Sequence, residues 1–246
     1  MLITLSSEQG FSLWLAWGTT IRGYALAGQG QEEEGIAHMH QGLAAVRATG
    51  AVAGRTNALA YLAEAYGKIA ETYGKVGQVE EGLRALDEAL ALIDDNGERR
   101  DEAELYRLKG ELTLQQFKAS LKQVSSKSKA GQSKSEVPNA QSPTSKAQSE
   151  AEECFRKAID ISRKQQAKSL ELRATMSLAR LWQQQGKRDE ARQMLAEIYS
   201  WFTEGFDTKD LQEAKALLDS LESSVRSLGA KQSKKQKVKE IGRAHV

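Results

Sequence analysis

One triplet of positions recurs along this chain: a small residue, then apolar residues four and seven places later. It reads Gly82, Leu86, Ala89, then Ala151, Phe155, Ala158, then Ala191, Leu195, Ile198. Spacings of four and seven return to the same face of an α-helix, so each triplet predicts an amphipathic helix with one buried stripe. A polar word stands before two of them. Gly77-Gln78-Val79-Glu80-Glu81-Gly82 and, more loosely, Gly186-Lys187-Arg188-Asp189-Glu190-Ala191 repeat an earlier Gly30-Gln31-Glu32-Glu33-Glu34-Gly35. The helices expected after these words are 36–48, 83–94 and 192–202. Thr49-Gly50 and Asn96-Gly97 close the first two as left-handed helix stops.

The small residue that opens each of these helices falls at Gly35, Gly82, Ala151 and Ala191, at intervals of 47, 69 and 40. Two insertions explain the longer intervals. Residues 63–69 (AEAYGKI) are followed at once by a near copy at 70–76 (AETYGKV), and removing seven residues turns 47 into 40. The Ser/Lys/Gln-rich run 119–147 holds 29 residues, and removing it turns 69 into 40. Seven residues are close to two helical turns, so the duplication is expected to lengthen a helix while keeping its buried face.

The chain is therefore expected to be all-α, with hairpins at 11–50, 52–97, 100–166 and 168–205, a last helix at 208–224, and residues 1–9 closing a preceding unit. Together these make one domain, 1–225, interrupted by a disordered insertion at 119–147 and followed by a disordered basic tail at 226–246. Within a unit, Leu178-Ala179 and Trp182 precede Ala191, Leu195 and Ile198, and Ile69-Ala70 and Tyr73 precede Gly82, Leu86 and Ala89. This order resembles the tetratricopeptide (TPR) repeat, with a longer period and without its closing proline. The resemblance implies a right-handed superhelical stack of antiparallel hairpins with a period of about 40 residues.

Longer words resemble one particular setting of that repeat. They are 11–18 (FSLWLAWG), 83–92 (LRALDEALAL), 103–112 (AELYRLKGEL) and 165–174 (QQAKSLELRA), continuing to 201–207 (WFTEGFD). They are similar to the C-terminal repeat region of large bacterial signalling proteins that join a class III nucleotide cyclase domain to an AAA-type ATPase. The resemblance covers about residues 2–222. It implies a regulatory, partner-binding array and brings no cyclase or ATPase chemistry with it. A chain beginning inside a repeat is expected to be a fragment. Its last six residues, Ile241 to Val246, match a peptide encoded by a common sequencing adapter and are expected to be an assembly artefact.

Composition sharpens this picture. There are two prolines, Pro138 and Pro143, so nothing outside their neighbourhood carries the strongest helix breaker. The single cysteine, Cys154, forbids an internal disulfide, and no stretch is long and apolar enough for a membrane span. The default compartment is cytoplasmic. The net charge of +2 divides into +5 over 118–149 and +6 over 226–246, which leaves −9 on the helical body. An acidic body argues against a nucleic-acid partner, because phosphate binding needs a basic face.

No catalytic, metal or cofactor site is expected. Gly67-Lys68, Gly74-Lys75 and Gly186-Lys187 lack the spacing and the following Ser or Thr of a phosphate loop. His38 and His40 point to different faces of a helix and cannot chelate together. Glu32, Glu33, Glu34, Glu80 and Glu81 are read as first-turn residues that complement the helix dipole. Trp14, Trp17, Tyr66, Tyr73 and Trp182 are read as core, and Cys154 as a half-buried helix residue. Partner contacts are expected on the concave face lined by first helices, at Trp17, Tyr24, Glu64, Glu71, Arg107, Glu111, Arg173 and Arg180. The leading function is a non-catalytic scaffold that binds a protein or peptide, including adjacent ATPase or cyclase domains. The alternative is an array that senses a small-molecule effector.

Overall fold

The computed structural model describes residues 2–52, 54–73, 76–128 and 143–222. Every regular element among them is helical: α1 (Leu2–Glu8), α2 (Ser12–Gly28), α3 (Glu32–Ala48), α4 (Arg55–Tyr73), α5 (Val76–Asn96), α6 (Glu102–Ser128), α7 (Pro143–Lys164), α8 (Lys168–Gln185) and α9 (Arg188–Tyr199). A further helical run, α10, occupies 209–222. The chain is an all-α repeat stack. It divides into two compact units, Met1–Ala158 and Ile159–Val246, with the boundary inside α7.

In the first unit α2 packs on α3 and α4 on α5, and the first helices also touch one another, α2 with α4 and α4 with α6. The core gathers Met39, Leu43, Leu62, Leu86, Ile93 and Leu105, each at most 3% exposed. In the second unit α8 packs on α9. Leu172, Met176, Leu195 and Ile198 join Leu211, Leu217 and Leu221 of α10 in its core. The repeated triplets lie where their spacing puts them. Leu86, Ala89, Ala151, Phe155, Ala158, Ala191, Leu195 and Ile198 are all buried.

The small residue at the head of each triplet has a steric reason. A β-carbon on Gly35 of α3 would lie 2.5 Å from the Gly23 carbonyl oxygen and 2.9 Å from the Ala27 Cβ of α2. Real β-carbons do not come within 3.0 Å of such neighbours. A β-carbon on Gly82 of α5 would meet the end of the Leu112 side chain of α6 at 2.7 Å and, more tightly held, the Ala63 carbonyl oxygen and Tyr66 Cβ of α4 at 3.3 Å. The left-handed stops are also present, with φ of 76° at Gly50 and 72° at Gly97. No side chain caps α2, α3, α8 or α9. Charge in their first turns does part of that work, from Glu32 to Glu34 on α3 and from Asp189 and Glu190 on α9.

Three expectations change. The duplication does not simply lengthen one helix. Its first copy lies inside α4 with Ala63, Ala65, Tyr66 and Ile69 buried, whereas the second spans the end of α4 and the start of α5, with Tyr73 58% exposed. The added length is shared, and α5 begins three residues ahead of the position matching the start of α3. Glu80 and Glu81 consequently fall past the first turn of α5. Trp14, expected in the core, is 58% exposed, as Tyr73 is. Lastly, 119–128 and 143–147 of the expected disordered insertion are helical, because α6 runs on to Ser128 and Pro143 opens α7. The first helical position tolerates a residue that lacks an N–H. Residues 129–142, and the tail expected at 226–246, lie outside the described residues.

The helix contact at Gly35 can be tested directly. Gly35→Ala is expected to lower stability by about 1–3 kcal/mol, since rigid backbone must move to admit one methyl. Gly28→Ala, with open space around its β-carbon, is expected to be neutral or to stabilise by up to about 1 kcal/mol. Urea unfolding followed by circular dichroism measures both.

Candidate functional site

A period of 40 residues places equivalent positions of successive first helices side by side. Tyr24 on α2 and Glu64 on α4 are such a pair. The Tyr24 hydroxyl donates to Glu64 Oε2 at 2.8 Å, and the Tyr24 ring stacks on Tyr61 with centroids 4.3 Å apart. Lys68, one turn beyond Glu64, lies 3.0 Å from Glu64 Oε1 and 5.7 Å above the Tyr24 ring. Burial raises the Glu64 carboxyl, but the Lys68 ammonium, the Tyr24 hydroxyl and the Arg107 charge outweigh it and hold Glu64 below the usual carboxylate range.

Arg107 brings α6 into the same face. Its Nε and Nη2 donate to the two carboxylate oxygens of Glu104 at 2.8 and 2.7 Å, and its Nη1 donates to Glu111 at 2.7 Å. Burial alone would lower the guanidinium; the two carboxylates more than reverse this and raise it above its ordinary value. A forked pair fixed by one partner and braced by a second holds its orientation. The face therefore presents two aromatic rings, a lysine, an arginine and three carboxylates from three successive first helices, α2, α4 and α6.

Of the expected contact residues, Tyr24, Glu64, Arg107 and Glu111 lie on this face. Trp17 is half-buried, with its ring seated on Gly54, a glycine at φ 81°. Glu71 is exposed on the second copy of the duplicated word. Arg173 and Arg180 lie on α8 in the second unit, where Arg173 donates to Asp210 at 2.7 Å and Arg180 to Glu213 at 3.0 Å. Sequence reasoning missed Tyr61, Lys68 and Glu104. Lys68 had a readable signal, as it stands four residues after Glu64 on a helix.

A second feature lies between α3, α4 and α5. His40 Nε2 and the Tyr66 hydroxyl are 2.6 Å apart beside a hollow of about 280 Å³ lined by Glu33, Ile36, His40, Tyr66, Ile69 and Gln78. Burial, aided by the Glu81 charge, raises the Tyr66 phenol. His38 instead lies 3.8 Å from Glu34, so the two histidines do point apart. Among the described residues no three His, Cys, Asp or Glu side chains gather as metal ligands. No described helix is long and apolar enough to cross a membrane. Gly67 is a packing position against Leu112, and Gly186 is the left-handed stop of α8.

The fourth hairpin carries the repeat most plainly, with Leu172, Leu178, Ala179, Ala191, Leu195 and Ile198 all buried. Residues 172–199 match the tetratricopeptide repeat family. No curated protein matches the chain. Among solved structures the chain is similar to the nearly identical TPR-like repeats of a Podosopora anserina protein assigned as a kinesin light chain. One structure, of a point variant, is 17% identical, covering 88% of this chain and 95% of the other at a TM-score of 0.47. A second structure of these repeats is 17% identical, covering 87% and 95% at a TM-score of 0.46.

One carboxylate in the second unit is buried between two cations. Glu171 is 5% exposed and accepts from Arg163 Nε at 2.7 Å and Lys168 Nζ at 2.8 Å. Burial pushes its carboxyl up; the two cations overcome this and leave it below the usual range. A depressed folded-state value stabilises above the unfolded value of about 4.3 and is lost as pH falls through the folded value. Glu171→Gln is expected to cost about 2 kcal/mol at pH 7, and the gap from wild type should close in acid below the usual carboxylate range. Urea unfolding at neutral and acid pH reads both.

Proposed function

We propose that this chain is a non-catalytic regulatory array that binds a protein or peptide along the face shared by α2, α4 and α6. Tetratricopeptide repeats generally mediate protein–protein interaction. The observation that carries the reading is the Tyr24–Glu64–Arg107 alignment on three consecutive first helices. Rings, a lysine and fixed guanidinium and carboxylate groups offer an extended segment both stacking and charge-assisted hydrogen bonds. Backbone amides and mixed-charge side chains suit that surface better than a phosphate backbone would, because its carboxylates outnumber its cations.

The finer setting rests on the sequence words quoted above. They favour an array belonging to a larger bacterial signalling protein, with an ATPase and a nucleotide cyclase domain as its nearest partners and the cytoplasm as its compartment. A second reading, a small-molecule effector site, is favoured by the hollow beside His40 and Tyr66. Its apolar walls, Ile36 and Ile69, and its polar groups are the usual make-up of a ligand pocket, although its volume is small for one.

Charge reversal on the face separates these readings. With purified chain as bait, Glu64→Lys is expected to lose at least about tenfold of partner capture, while Glu153→Lys on the exposed side of α7 captures as wild type. Equal capture by both variants would sink the first-helix reading. A metabolite that raises the melting temperature of wild type but not of Tyr66→Phe would establish the effector reading instead.

A further inference from the structure

The hollow beside His40 and Tyr66 lies inside the first unit and draws its lining from α3, α4 and α5. Those helices also pack on one another, α3 on α4 and α4 on α5. Part of the lining is apolar: Ile69 is 2% exposed, Tyr66 8%, and Ile36 is half-buried. The rest is polar and consists mainly of acceptors. Among the described residues, the Tyr66 hydroxyl has one hydrogen-bond partner, His40 Nε2, at 2.6 Å. Burial and the Glu81 charge keep the phenol protonated, so the hydroxyl donates to Nε2 and offers a ligand only its oxygen. Gln78 supplies the second observation. Its Oε1 is buried and accepts no hydrogen bond among the described residues. A buried acceptor left without a donor costs free energy, and a ligand that donates to it removes that cost. Charge favours a donor as well. Glu33 on the exposed rim and Glu81 near Tyr66 stand against the Arg84 guanidinium.

We propose that this hollow binds a short primary alkylammonium ion, its chain against Ile36 and Ile69 and its ammonium donating to Gln78 Oε1. The inference rests on the effector reading of the hollow and names its ligand class; the first-helix face takes no part in it. Chemistry selects the head group. An ammonium has three donors and no acceptor, the complement of this lining. Its hydrogen bond to the amide oxygen is charge-assisted and roughly twice as strong as one from a neutral alcohol. Volume selects the tail. A hollow of about 280 Å³ has room for about nine groups at the roughly 30 Å³ that a water occupies in the liquid. A chain of about six carbons with its nitrogen fits within that volume. The four-carbon stem of a lysine from another protein carries the same ammonium but fills less of the space, so the occupant is a free amine.

The probes are hexylamine, hexanol and hexanoate, alike in chain and different in head group, titrated into the intact chain by isothermal calorimetry. Hexylamine is expected to bind saturably with a Kd at or below about 1 mM, and the other two at least about tenfold more weakly. Gln78→Leu should weaken hexylamine by about tenfold or more and raise the melting temperature of the ligand-free chain, because it removes the unpaired acceptor. Gln184→Leu, at an exposed position of α8, should bind as wild type. Circular dichroism of the variants checks that helicity is kept. Hexylamine binding that Gln78→Leu leaves unchanged is attraction to the acidic surface and overturns the proposal. Hexanoate binding as tightly as hexylamine overturns it too, since helix starts such as that of α5 favour anions. If Tyr66→Phe abolishes that hexanoate binding, the effector reading stands with a different ligand class. Tighter binding of Nα-acetyl-lysine methylamide than of hexylamine would make a protein side chain the occupant and equally overturns the proposal. Binding of no probe overturns it as well, and leaves the effector reading to metabolites of other chemistry.

Discussion

The close approach of paired helices at small residues is the constraint on which the rest of the structure depends. Gly35 and Gly23 bring α3 against α2 backbone to backbone, and Ala191 keeps the same position small in the fourth hairpin. Once two helices lie this close, the residues four and seven places along the second helix have no choice but to be buried. The larger side chains then reach past their own hairpin to the next. Trp17 on Gly54 and Leu112 against both Gly67 and Gly82 are the outcome. A stack of this kind is stabilised mainly by neighbours, one interface at a time.

The polar face follows from the same geometry. A fixed period returns each first helix to the same orientation, so a tyrosine on α2 meets a glutamate on α4 forty residues on. None of the charged groups there stands alone: Glu64 has Tyr24 and Lys68, and Arg107 has Glu104 and Glu111. Interlocked pairs of this sort hold side chains in place more than they add stability, because the cost of taking the charges out of water offsets much of their attraction. Pre-set orientation is what a recognition surface needs.

Much of this was legible in residue order. The triplets, the polar words and the Gly50 and Gly97 stops marked the helices, because burial on a helix imposes spacings that survive in the sequence. Tyr24 and Glu64 share a position by the forty-residue period and Glu111 joins them once the seven-residue duplication is counted, while Arg107 stands one helical turn before Glu111. Tyr61 could not be placed this way, because whether its ring stacks on Tyr24 depends on a distance across helices, whereas Glu104, three residues before Arg107 on the same helix, had a readable spacing. Trp14 was misread for a related reason. Its helical spacing matches that of a core residue, and spacing does not reveal whether a helix stands opposite.

The duplicated heptapeptide separates the two kinds of information. The sequence by itself determined that both copies are helix-forming and that each carries the same small and aromatic positions. Only the tertiary structure decided that Tyr66 is buried beside His40 while Tyr73, in nearly the same words, faces solvent. The physical reason is that local propensity acts within a few residues, whereas burial needs a partner surface. Ala63 and Gly67 of the first copy keep the register of Gly23 and Ala27 against the following helix, whereas Glu71, Thr72 and Tyr73 of the second copy have passed beyond the surface that could cover them.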